Sequence, residues 1–184
     1  RQVREIAYQS LHYGLEDDVA NVLEHLGNHV CQRAPYCLQA AKLFATHQTG
    51  LGFLLRHWGR YDAVHRVAKH VLKFGIEQQD PEFIGECALN LLAMIALERR
   101  NFDEADNYIG LVIEHNTRLN DKGLEAMIDM TRAYLYLYRG YFGAAEHFSQ
   151  HALQGFLEVG NTEVIALIYT DLCDITIESA LQDV

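Results

Sequence analysis

The chain has almost no proline. Two residues in 184, Pro35 and Pro81, leave long stretches with nothing to interrupt helical hydrogen bonding. Basic residues are also short: 15 Lys and Arg stand against 25 Asp and Glu, a net charge of −10. A phosphate-binding surface needs a basic face, and no cationic cluster exceeds Arg99-Arg100, so the balance points away from nucleic acid. No apolar run reaches the roughly 20 residues of a membrane span. The four cysteines, Cys31, Cys37, Cys87 and Cys173, form no CxxC and no framework spacing. They read as reduced thiols in a cytoplasmic protein, with a Cys31–Cys37 bridge across the Ala34-Pro35 turn as the one alternative. Catalytic signatures are missing too. There is no GxSxG, no GxxxxGK[ST] and no GxGxxG, so no enzyme and no cofactor is expected.

What the chain has is a repeat. Three segments align without gaps: GRYDAVHRVAKHVL from Gly59, RNFDEADNYIGLVI from Arg100 and GYFGAAEHFSQHAL from Gly140. Their starts lie 41 and 40 residues apart. The third position is aromatic (Tyr61, Phe102, Phe142). The sixth is small or β-branched (Val64, Ala105, Ala145), as is the thirteenth (Val71, Val112, Ala152). Seven residues before each start stands another small residue, Gly52, Ala93 or Ala133, and the next step of 40 reaches Cys173. Stepping back 41 from Val64, Val67 and Val71 reaches Leu23, Leu26 and Val30, a fainter copy.

Between repeats lie turn-rich segments: Gln78 to Pro81, Leu119 to Gly123 and Val159 to Thr162. Each supplies an Asp or Asn able to cap a following helix, and Pro81 stands where a missing N–H is harmless. The spacing predicts an all-α chain of about nine helices, over 1–14, 16–33, 36–57, 60–75, 81–99, 101–118, 121–139, 141–158 and 162–181. A helix pair cannot bury its apolar stripe alone. Stacked pairs can, which predicts an α-solenoid of antiparallel helix pairs. The organisation expected is one repeat domain over 1–184: a weak repeat over 1–35, clear repeats over 36–80, 81–121 and 122–161, and a terminal helix over 162–184. Because the chain opens on Arg1, it reads as part of a larger protein.

The pattern G-x-F/Y-x-x-A-x-x-F/Y-x-x-x-A resembles the tetratricopeptide repeat, and GYFGAAEHFSQHAL is its closest copy here. The 40-residue period is similar to the subclass found in kinesin light chains and bacterial maltose-activator-like regulators. The chain departs from the pattern at Val64, in lacking the proline that often ends a repeat, and in a last unit that stops after its first helix. The resemblance implies a right-handed superhelix whose concave face is lined by the first helix of each pair. It implies a non-enzymatic interaction module, with a peptide or partner helix held in that groove. The alternative is a ligand- or peptide-sensing regulatory domain of a bacterial transcriptional regulator or signalling protein.

Carried over position by position, the partner-binding residues expected are Phe53, His57, Asn90, Met94, Met127, Met130, Tyr134, Tyr138 and Asp174. Methionine and tyrosine make adaptable contact surfaces, although the same residues serve equally as packing between helices. The family's carboxylate clamp for chaperone tails falls on Thr49, Phe53, Leu91, Met127 and Thr131, none of them cationic, so those tails are not expected as ligands. The histidine pairs His25/His29 and His147/His151 have the i, i+4 spacing of metal ligands. They occupy equivalent outward positions with no third ligand evident, so no metal is expected. No nucleic acid and no membrane is expected as a partner. Self-association through the terminal helix is a further expectation, with Leu167, Leu172 and Ile175 as its exposed apolar side.

Overall fold

The computed structural model describes residues 49–50, 52–53, 55–56 and 59–182. Within them every regular element is helical and no strand occurs. The described residues between 49 and 56 are helical, and six helices follow. These are α1 (Tyr61–Gln78), α2 (81–98), α3 (Phe102–Leu119), α4 (Lys122–Tyr138), α5 (Phe142–Val159) and α6 (Thr162–Gln182). Their bounds lie within a few residues of the expected ones. The helices expected over 1–14 and 16–33, the weak repeat over 1–35 and Cys31 and Cys37 lie outside the described residues.

The period is written in the backbone. The residues with positive φ form two interleaved series. Gly59, Arg100 and Gly140 (φ 71°, 59° and 79°) close the corner inside each pair. Gln79, Asn120 and Gly160 (φ 52°, 51° and 74°) close the turn between pairs. Both series step by 41 and then 40 residues.

Each inner corner is tied in the same way. The N–H groups of Arg60, Asn101 and Tyr141 donate to the carbonyls of Leu55, Ala96 and Tyr136 at 2.8–2.9 Å. Those of Gly59, Arg100 and Gly140 donate to Arg56, Leu97 and Leu137, each at 2.9 Å. This double bond pattern uses up orphan carbonyls at a helix end. The turns between pairs then start the next helix. Asp80, Asp121 and Asn161 accept from the backbone N–H groups of Phe83, Leu124 and Val164 at 3.4, 2.8 and 3.3 Å. After α3 a side chain joins in. Asn116 accepts from the Asp121 N–H at 2.9 Å and donates to the Asp121 carbonyl at 3.1 Å.

The chain divides into two compact units, Arg1–Cys87 and Ala88–Val184. In the first, α1 buries Val64, Val67 and Val71 of the expected seam and, beyond them, Phe74. Phe74 meets Phe83 edge-on, with ring centroids 5.8 Å apart. Gly75 allows the chain to double back here, since a Cβ on it would lie 2.9 Å from the Phe83 Cβ.

In the second unit α3 packs on α4, α4 on α5 and α5 on α6, while the end of α2 (Met94–Glu98) touches both α3 and α4. The seam positions Ala105, Val112, Ala145 and Ala152 are all fully buried. Residues 101–110 and 141–150 alternate between buried and exposed in the same order, residue for residue. Tyr136 of α4 lies flat on Phe148 of α5, with centroids 5.4 Å apart and planes within 3°.

One departure from regular helix lies in α2. Its middle, Glu86–Ala93, is a π-helix between α-helical ends Pro81–Gly85 and Met94–Glu98. Six of its eight residues are buried, and the two polar ones, Glu86 and Asn90, stand four apart on its half-buried side. The residue count per turn, not the helix itself, is what the sequence pattern missed.

Candidate functional site

The Met and Tyr edge of α4 is the densest group of expected binding residues. Met127, Met130 and Tyr134 follow one another at i, i+3 and i+7, so they share one side of the helix. That side is largely covered. Met130 is 8% exposed and belongs to a core with Ala126, Ala152, Phe156 and Ile168, drawn from α4, α5 and α6. Met127 and Tyr134 pack against the same core, as do Val164, Ile165 and Leu172 of α6. The Tyr134 hydroxyl donates to the Asp171 carboxylate at 2.6 Å, linking α4 to α6. Met130 thus contributes packing more than surface, because α6 closes over the edge that carries it. Met127 and Tyr134 stay half-buried.

Tyr138, at the end of α4, is half-buried under a cation. The Arg100 guanidinium sits 5.3 Å from its ring centroid and donates to the Tyr138 carbonyl at 2.7 Å. Arg139 reciprocates. It reaches Asp106 at 2.8 Å and lies 5.3 Å over the Phe102 ring. The two arginines lock the corner after α2 against the corner after α4. Arg100 therefore complements the C-terminal carbonyls of α4.

The remaining expected residues are more scattered. Asn90 and Met94 are half-buried on α2. Phe53, in the first unit, is 37% exposed. Asp174 lies on α6, and its side chain, like all of His57, lies outside the described residues. Of the clamp-equivalent positions, Thr49, Leu91 and Thr131 are buried, and the Thr131 hydroxyl donates to the Met127 carbonyl at 2.9 Å. They offer no surface for a carboxylate.

His147 and His151 are exposed on α5 with ring centroids 4.3 Å apart. Among the described residues no group of three or more His, Cys, Asp and Glu is arranged to hold a metal ion. Cys87, Asp129 and Tyr108 are displaced from their ordinary values. Burial pushes the Cys87 thiol up to about 12, only partly offset by Thr49, whose Oγ1 lies 3.9 Å from its sulfur. Such a thiol stays protonated and unreactive. Partial burial raises Asp129, against the pull of Arg132 at 3.5 Å and of His151. Partial burial and the Glu104 carboxylate raise Tyr108.

The terminal helix needs a correction. Leu167 is 49% exposed as expected, but Ile175 is 2% exposed, and Leu172 is half-buried against the core formed by α4, α5 and α6. The exposed apolar residues are instead Tyr169 at 54% and Ile177 at 57%, beside exposed Ala166 and Cys173. Stepping the buried seam residues Ala126 and Ala133 forward by 40 would have found this side. Among the described residues no helix is long and apolar enough to cross a membrane. No family model matches the chain, and no curated protein matches it at a significant level.

Proposed function

We propose that the chain is a tetratricopeptide-like interaction module, non-enzymatic and cytoplasmic, with the helix pairs of its second unit stacked as an α-solenoid. The observation that carries this reading is the double series of left-handed residues, 59, 100, 140 and 79, 120, 160. It marks off helix pairs of equal size, each turned by the same hydrogen bonds, and equal pairs stack into a scaffold whose surface is repeated. The polar groups with identified partners support it as well. Asp80, Asp121 and Asn161 cap helices, and Arg100 and Arg139 join corners, which are structural employments.

The binding edge proposed runs along the first helix of each pair. It comprises Asn90 and Met94 of α2 and Met127, Tyr134 and Tyr138 of α4, and it takes a peptide or helix of a partner protein through apolar contacts with a polar rim. The test is proximity labelling of partners by the wild-type chain and by a Met94→Ala/Tyr138→Ala variant. Melting by circular dichroism verifies that the variant is folded. Selective loss of partners from the folded variant is expected. A folded variant that labels the same proteins to the same extent would show that this edge is not the site.

A further inference from the structure

His147 and His151 stand one turn apart on α5, and residues at i and i+4 share a face. Both are exposed, and their ring centroids lie 4.3 Å apart with planes tilted by 50°. With metal–nitrogen bonds of about 2.0–2.1 Å, two imidazoles at a right angle on one ion have centroids about 4.5 Å apart, and at a tetrahedral angle about 5 Å. The observed spacing matches the right-angled arrangement, which belongs to octahedral and square-planar ions rather than to tetrahedral zinc. His147 meets Phe148 edge-on at 5.4 Å, and Phe148 is itself held flat against Tyr136. One ring of the pair is therefore steadied before any ion arrives. Sequence spacing offers the pair no third protein ligand, but an exchangeable site needs none, because water completes the coordination. This face also stays open between packed helices. Its register positions on α3 are Asn107 and Leu111, which α4, α5 and α6 all follow, yet Asn107 is exposed and Leu111 only half-buried.

Charge favours a cation here. The chain's net charge of −10 draws cations to its surface. From α4, the half-buried Asp129 carboxylate lies within the field of His151, with Arg132 beside it at 3.5 Å. Glu146, exposed next to His147, adds a second carboxylate, which accepts from Gln150 at 3.1 Å. We propose that His147 and His151 form an exchangeable chelate for a late divalent transition-metal ion, copper or nickel in preference to zinc, on the outer face of α5. Each ring lends one nitrogen to the ion. Copper stands highest in the usual order of divalent affinities, and imidazole suits both copper and nickel. Once bound, the ion ties two turns of α5 together and stabilises the folded chain by mass action. The site lies on the second helix of its pair and does not depend on the edge assigned above to the groove.

The test uses the full chain and nickel chloride, since nickel does not oxidise the exposed thiol of Cys173. Affinity is read by isothermal titration calorimetry and stability by thermal melting. The wild type is expected to melt about 5 °C higher in nickel at about 100 times its Kd. His147→Asn and His151→Asn are each expected to weaken one nickel site per chain about tenfold or more, because the remaining imidazole loses the effective concentration of its partner. His151→Gln combined with Gln154→His keeps the number of histidines but sets the rings seven residues apart, about 10 Å along the helix and beyond the reach of one ion. It is expected to behave as His151→Asn does. All three positions are exposed, and circular dichroism verifies that the variants are folded. Magnesium, which takes oxygen ligands, is expected to leave the melting point unchanged. Titration curves that are the same for the wild type and the rearranged variant overturn the proposal. An equal rise in melting point with magnesium assigns the cations to the acidic surface and overturns it as well.

Discussion

Gly155→Ala sets two effects of similar size against each other. Alanine is favoured over glycine inside a helix by about 1 kcal/mol, and Gly155 lies well within α5, so propensity alone predicts a stabilised protein. Packing predicts the opposite. The new Cβ would lie 2.8 Å from the Ala126 Cβ and 3.5 Å from its Cα, where ordinary contact begins near 3.4 Å. Ala126 has no flexible end to swing aside, and it is 2% exposed in the core between α4, α5 and α6. The helices must separate by about half an ångström or more, and overpacking of this kind costs about 1–3 kcal/mol. The packing term should win, for a net loss of about 1 kcal/mol and a melting point about 2–4 °C lower in a chain of this size. The assay is thermal and urea unfolding of four proteins: wild type, Gly155→Ala, Ala126→Gly and the double variant. In the Ala126→Gly background the clash is gone, so Gly155→Ala should become stabilising by about 1 kcal/mol. If Gly155→Ala stabilises by the same amount in both backgrounds, the close approach of α4 and α5 is refuted.

Four further outcomes follow from named contacts. Tyr134→Phe should lower stability by about 1 kcal/mol through loss of the bond to Asp171, measured by urea unfolding, and an Asp171→Ala background, which removes the acceptor, should largely abolish the difference. Gln79→Gly should raise stability by up to about 1 kcal/mol, because glutamine holds a left-handed conformation there that glycine adopts without strain. Asp129 has its pKa raised in the folded chain above the ordinary 3.8, so folding favours its protonated form. Its contribution is complete below that ordinary value and is lost as pH rises through the raised one. Asp129→Asn should therefore gain on the wild type between mildly acid and neutral pH, and a difference in melting point that does not change with pH would contradict this. A brief iodoacetamide pulse followed by peptide mapping should label exposed Cys173 and spare Cys87, whose thiol is buried and protonated. Equal labelling would mean that α2 opens readily.

Much of the fold was legible because a repeat tests its own register. Val64, Ala105 and Ala145 could each be read alone as a chance small residue, but their common spacing marked a seam, and all three are buried. The caps at Asp80, Asp121 and Asn161 were legible for the same reason. The left-handed corners were less so, since Gln79 and Arg100 are not residues that announce positive φ. Their conformation follows from the position they share with Gly160 and with Gly59 and Gly140. The π segment of α2 left no mark in the sequence. In ECALNLLA the two polar residues, Glu86 and Asn90, stand four apart, and a single such pair does not say how many residues make a turn.

The candidate site was legible as a set of positions and not as a surface. Met130 and Thr170 occupy the same register position one period apart, yet Met130 is buried and Thr170 exposed. Ala126 and Ala166 differ in the same way. For the described residues the sequence by itself determined where the helices run and where the seam lies, because these depend on local spacing, capping and the recurrence of small residues, while on α6 it misplaced the open side. Which of those faces is covered was decided only by the tertiary structure, because exposure belongs to the neighbour that arrives: α5 and α6 close over the side of α4 that carries Ala126 and Met130.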